Sequence, residues 1–145
     1  MSTKAEEWQK KYYPTPASDI GKRASPLDLL DHSIRKWRGL SKAVLKKHGL
    51  SQAVSQLTGQ WNRIESGPGR TILIVDAESC ALCERYMGNG CRRCPLKIQL
   101  GRTCDDETTT ELSPYAKFIK LGKNRPMLKA LIAARDRLLN KKAKS

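Results

Sequence analysis

The chain has 145 residues, with 28 Lys and Arg against 14 Asp and Glu and a formal net charge of +14. That length is enough for one domain and thin for two. Leu, Ile, Val and Phe make up 29 residues, the edge at which a highly charged chain stops folding on its core alone. A partly ordered protein with a small core and an added staple is therefore expected, not a large enzyme domain. The longest strongly apolar run is Thr71–Val75 and the first twenty residues are polar, so neither a membrane span nor a secretory leader is expected, and the cytosol is the default compartment.

Residues 1–24 read as an N-terminal arm and linker. Lys4–Tyr12 predicts a short helix or arm, and Pro14 and Pro16 turn the stretch to Ala24 into an extended linker. Trp8, Tyr12 and Tyr13 predict that this arm packs on something, with its own body as the first choice. Residues 25–140 read as a single helical domain. Ser25-Pro26-Leu27-Asp28 is a helix start, with Ser as cap, Pro at the first position and an acid in the first turn. Leu27, Leu30, Ile34 and Trp37 recur at spacings of three and four and form one apolar stripe. Arg35, Lys36 and Arg38 fall on the other side. Gly39 ends or bends this helix. Ser41 caps a second through Ala43, Val44, Leu45 and Lys47, closing at Gly49, and Ser51 caps a third short one with Ala53, Val54 and Leu57.

Ser66-Gly67-Pro68-Gly69 is a turn. The glycines around Arg70 lack the Gly-Lys-Ser/Thr of a phosphate loop, so a plain turn is preferred. Thr71–Val75 is β-branched and apolar and predicts a strand, with Gln60–Ile64 as its hairpin partner.

Cys80, Cys83, Cys91, Cys94 and Cys104 all lie within 25 consecutive residues. An odd number of cysteines so clustered, in a reducing compartment, argues against a disulfide framework. Two Cys-x2-Cys turns each present a pair of thiolates on one side of a tight loop. Together they close a tetrahedron of sulfurs around Zn2+. Gly88 and Gly90 supply the reversal between the turns, Pro95 stiffens the exit, and Arg92 and Arg93 favour the deprotonated thiolates that bind metal. Five candidates for four positions leave Cys104 either a spare or a replacement for Cys91. An iron–sulfur cluster is the weaker alternative, because a run of three closely spaced Cys is lacking. His32 and His48 lie far upstream, so a Cys/His nuclease finger has no support. An all-Cys site has no open position for a catalytic water, so a structural ion is expected. Structural zinc in small modules contributes on the order of 10–16 kcal/mol, comparable to the whole net stability of a domain.

Asp105–Glu111 is an acidic, Thr-rich loop whose adjacent carboxylates Asp105, Asp106 and Glu107 diverge. Ser113-Pro114-Tyr115 repeats the capped start and opens a helix through Phe118 and Ile119 to Gly122. Asn124 caps the last helix, with Pro126 near its start and a stripe of Met127, Leu128, Leu131, Ile132, Leu138 and Leu139. Residues 141–145 read as a basic tail.

The charge has three groups. Arg35, Lys36, Arg38, Lys42, Lys46 and Lys47 form the first. Arg92, Arg93, Lys97 and Arg102 surround the metal loop at 80–104. Lys120, Lys123, Arg125, Lys129, Arg135, Arg137, Lys141, Lys142 and Lys144 lie along the final helix or its flanks. Three basic groups on a small core point to a polyanion partner, most simply DNA or RNA. No paired His sits on a reading helix and no aromatic strand pair offers a base-stacking platform. Contact through the phosphate backbone is therefore expected, by Arg92, Arg93, Lys97, Lys123, Arg125, Lys129, Arg135, Arg137, Lys141 and Lys142.

The order of motifs carries a resemblance. Ser33-Ile34-Arg35-Lys36-Trp37-Arg38-Gly39-Leu40 precedes Ser79-Cys80-Ala81-Leu82-Cys83. Then come Cys91-x2-Cys94-Pro95-Leu96, Gly101-x2-Cys104 and Ser113-Pro114-Tyr115. This resembles small, largely uncharacterised proteins of tailed bacteriophages, over residues 27 to 135. The resemblance implies expression in the cytoplasm of a host bacterium and places all five Cys in a shared pattern. It implies no mechanism. The expectation is a mainly α fold, a small helical domain with a Cys-ligated zinc loop and room for one short β-hairpin. Its function is backbone-dominated nucleic-acid binding by a phage accessory protein. The alternative is a phage protein that binds and modulates a host defence, replication or transcription protein. No catalytic residues are expected.

Overall fold

The structure, a computed structural model, describes residues 3–76, 79–89, 91, 93–102 and 112–143, with the side chains of Asn89, Lys142 and Ala143 left undescribed. In chain order the helices are α1 (Lys4–Tyr12), α2 (Ala17–Ile20), α3 (Pro26–Arg38) and α4 (Lys42–Lys47). Strands β1 (Ser51–Ala53), β2 (Arg63–Glu65) and β3 (Thr71–Ile74) follow. Then come α5 (Ala81–Tyr86), a 3-10 turn at Met87–Asn89, α6 (Pro95–Leu100), α7 (Pro114–Leu121) and α8 (Arg125–Ala143). The protein is mainly helical with one small sheet.

Helix α3 is the hub. Ser25 Oγ accepts from the Asp28 N–H and Pro26 opens the helix, a cap that contributes about 1 kcal/mol. Of the predicted stripe Leu30, Ile34 and Trp37 are buried and Leu27 is half-buried, and the buried face widens to take in Leu29, Ser33 and Lys36. The reason is that α3 packs against α1, α5 and α8 at once, with α8 its most extensive neighbour. The Trp37 ring meets Phe118 of α7 edge-on at 4.9 Å. Burying each large side chain of this kind contributes roughly 1.5–3 kcal/mol.

The N-terminal segment is bound to α3 mainly through backbone carbonyls. Trp8 is 1% exposed and its indole N–H donates to Gly39 O at 2.8 Å. Gly39 permits that approach: a Cβ there would lie 2.5 Å from Tyr12 Cγ and 2.9 Å from Trp8 Nε1. Arg35 donates to the carbonyls of Lys10 and Lys11. His32 Nε2 lies 2.6 Å from Thr15 O, so that nitrogen carries the proton. The stretch from Pro14 to Ala24 is not an extended linker throughout, because Ala17–Ile20 closes one helical turn, with Ala17 buried.

The short helix predicted from Ser51 is not formed. Ser51–Ala53 is an edge strand in a three-stranded antiparallel sheet of order β1-β2-β3. Gln52 pairs with Ile64, and Ile64 pairs with Leu73. The predicted hairpin is present as β2–β3, joined by a plain turn in which Arg70 N donates to Gly67 O. Helix α7 starts as predicted, with Ser113 Oγ accepting from the Ala116 N–H and Gly122 at φ +71° ending it. The Tyr115 hydroxyl donates to Val75 O at 2.6 Å and ties α7 to the end of β3. Asn124 precedes α8, but its side-chain amide donates to Trp37 O. Helix α8 reaches Ala143, into the stretch the sequence reads as tail. Among the described residues, no helix is long and apolar enough to cross a membrane.

Candidate functional site

The cysteine segment is built from two short helices, each preceded by a cysteine. Cys80 precedes α5 and Cys83 lies in its first turn. The 3-10 turn reverses the chain, and Cys91 N donates to Tyr86 O at 3.0 Å. Cys94 N donates to Cys91 O at 3.1 Å, and Cys94 then precedes α6 with Pro95 at its first position. Cys91 has φ +64°, the one non-glycine residue with positive φ among the described residues. A left-handed conformation costs an L-residue about 1–2 kcal/mol that glycine would avoid.

Two of the thiols are shifted by neighbouring cysteines. A hydrogen bond from the Cys83 side chain holds the Cys80 thiol down at about 6. Burial opposes that shift, while the Lys36 ammonium and the amides of Cys83 and Leu82 reinforce it. Burial raises the Cys94 thiol above its ordinary value, and the charges of Cys80 and Cys91 push the same way. Cys80 and Cys94 are buried, and Cys83 and Cys91 are half-buried. Among the described residues, no group of three or more His, Cys, Asp or Glu side chains is gathered as a metal-holding set. Cys104 lies outside the described residues.

Lys36 is a correction to the sequence reading. It is 1% exposed, and its Nζ donates to Ser79 O at 2.8 Å, directly before Cys80. It does not belong to a basic surface. Helical spacing sets it among charged neighbours, and nothing local signals that α5 will cover it. A second residue unseen in sequence is Arg85, whose guanidinium donates to Gly21 O at 2.7 Å and Ala24 O at 2.8 Å. It fastens the cysteine helix to the turn after α2. A Cβ at Gly21 would lie 2.5 Å from Glu84 Cβ, so the two segments touch backbone to side chain.

The basic residues predicted to meet nucleic acid separate into groups. Arg93, Arg137 and Lys141 are exposed and line one groove of about 820 Å3 between α6 and α8, together with Tyr86, Ile98 and Asp136. Arg137 also donates to Ile98 O at 3.3 Å. Arg135 is drawn away into an ion pair with Asp31 at 2.6 Å. Lys97 is half-buried on α6. Lys123, Arg125 and Lys129 are exposed at the opposite end of α8. Arg92 lies outside the described residues, as does the Lys142 side chain.

No protein-family model, no curated protein and no solved structure matches the chain.

Proposed function

We propose that this is a zinc-stapled, strongly basic accessory protein that binds nucleic acid mainly through its phosphates. One observation carries the reading: two Cys-x2-Cys turns stand directly beside a groove lined by Arg93, Arg137 and Lys141. The donor set fits the ion chemically. Soft thiolates in two such turns suit Zn2+, and the strained backbone of Cys91 is tolerated where its sulfur is needed. In this reading Cys80, Cys83, Cys91 and Cys94 hold the ion, with Cys104 as spare or substitute. The ion supplies cohesion, not chemistry, to a chain with few large apolar residues.

Lys36 and the local backbone have the opposite task from the groove cations. They offset the negative charge of the thiolates from the buried side. The groove cations face a ligand. Contacts to phosphates position a nucleic acid without reading its sequence. The resemblance to bacteriophage proteins suggests that the binding takes place in an infected bacterial cell.

Two measurements test the proposal. Purified protein should carry one tightly bound zinc, and Cys80→Ser should release it and loosen the segment from Cys80 to Leu100. Equal metal content in both proteins overturns the zinc assignment. Duplex binding should fall steeply between about 50 and 200 mM salt, with a log–log slope near −0.9 per neutralised phosphate. The triple variant Arg93→Gln, Arg137→Gln, Lys141→Gln should flatten that slope by about 2–3. An unchanged slope removes the groove as the interface. No binding at low salt removes nucleic acid as the partner.

A further inference from the structure

The three tryptophans differ in one respect. Trp8 and Trp37 are 1% and 2% exposed, whereas Trp61 is 48% exposed. The backbone of Trp61 is nevertheless fixed. Its N–H donates to Ile119 O at 2.9 Å. Its carbonyl accepts from the Gln52 side-chain amide, which also donates to Phe118 O at 3.0 Å. Strand β1, the loop before β2 and the end of α7 are thereby clamped together, and the half-exposed indole is held on a rigid base.

That indole borders a pocket of about 470 Å3, a volume within the range of small-molecule sites. Leu50 and the half-exposed Leu121 supply its apolar wall, and Lys42 and Lys120 stand on its lining. Gln52 adds a carboxamide whose oxygen lies 3.2 Å from where a Cβ on Gly122 would sit. Lys42 Cε lies equally close to that point, so the missing side chain of Gly122 lets the lysine stem cross the end of α7.

This combination is a flat aromatic face, a polar edge group and two cations. An apolar peptide anchor would leave the Gln52 carboxamide oxygen without a partner. A nucleobase can stack on the indole and meet a polar edge, and its flanking phosphates match the lysines in charge. We propose that the Trp61 pocket takes one base of a single-stranded nucleic acid, stacked on the indole, with the neighbouring phosphates against Lys42 and Lys120. The proposal rests on nucleic acid being the partner, and it uses a different surface from the α6–α8 groove. It also adds a base contact to the sequence expectation of contact mainly through the backbone, because one aromatic residue in a pocket does what a strand pair does elsewhere.

Intrinsic fluorescence reports on this site selectively, since the other two indoles are buried. The full chain is titrated with oligo(dT), oligo(U) and duplex DNA, each of about eight nucleotides or pairs, and with an acidic peptide carrying one Leu. A saturable quench by either oligonucleotide is expected. With labelled oligonucleotide, Trp61→Ala should weaken single-strand binding by roughly 10–100-fold, and Trp61→Phe should recover most of it. Lys42→Gln should flatten the single-strand salt slope by about 0.7. Duplex binding should be the same in all three variants. Duplex binding with no quench by either oligonucleotide overturns the pocket and leaves the groove standing. A quench by the peptide alone overturns it in favour of a protein partner. Absence of all nucleic-acid binding overturns both.

Discussion

Helices α3 and α8 are both rich in Lys and Arg, and they use those residues in different proportions. On α3 two of three cations reach inward or sideways to backbone carbonyls, Lys36 to Ser79 O and Arg35 to Lys10 O and Lys11 O, and Arg38 is exposed. On α8, Lys129, Arg137 and Lys141 are exposed, with Arg137 alone of these also donating to a carbonyl, Ile98 O, and Arg135 makes a surface ion pair. The two helices differ in what surrounds them. Helix α3 is enclosed by α1, α5 and α8, so its long polar side chains meet chain segments whose carbonyls lack helical partners. Helix α8 is covered along Met127, Leu131 and Ala134 and leaves its other side to solvent. A basic residue is therefore a strut or a solvent-facing charge according to its neighbours, and net charge alone overstates the second use.

Four expected outcomes can break or sharpen that contrast. The largest effect is at the buried strut. Lys36→Ala removes the aliphatic stem and the hydrogen bonds to Ser79 together and should cost about 3 kcal/mol in chemical unfolding. A loss under about 1 kcal/mol would make Lys36 a bystander. Arg35→Gln removes two charge-assisted bonds near the surface and should cost about 1 kcal/mol. Protease susceptibility at the N-terminal segment should rise with it.

The third outcome is a pH dependence. Burial lowers the pKa of His32 below its ordinary value, and the charges of Lys36 and Arg35 add to that. Its Nδ1 is buried with no hydrogen-bond partner among the described residues, so a second ring proton would find no acceptor there. The unfolded chain then takes up the proton more readily than the folded one. The stabilisation is complete above the ordinary histidine value near 6.5 and is lost as the pH falls through it to the folded value. His32→Gln should flatten that part of the pH–stability curve. The smallest effect is on α8, where Lys129→Gln should change stability by less than about 0.5 kcal/mol. A cost near that of Arg35→Gln would erase the distinction between the two helices.

The legible parts of the fold were those with local causes. Ser25-Pro26 and Ser113-Pro114 announce helix starts because cap and first turn lie within four residues. The strand Thr71–Ile74 is legible because it is an unbroken run of β-branched and apolar residues. Ser51–Ala53 was not, because three residues hold no period and their pairing with Arg63–Glu65 is non-local. The cysteine spacing picks out the segment that α5 and α6 build. Lys36 was invisible as its neighbour, since Ser79 is 43 positions away. Trp61 was passed over for a similar reason: the wall it faces comes from α4, β1 and α7.

Helix α3 lies between the first and last described elements: α1 packs on one part of it and α8 on another, with Arg135 reaching back 104 positions to Asp31. During synthesis the ribosome delivers α3 well before α8. Until α8 emerges, the nascent chain carries an uncovered patch of α3, which a chaperone or the ribosome surface can shield. The interior around α3 is therefore completed only once α8 has been made.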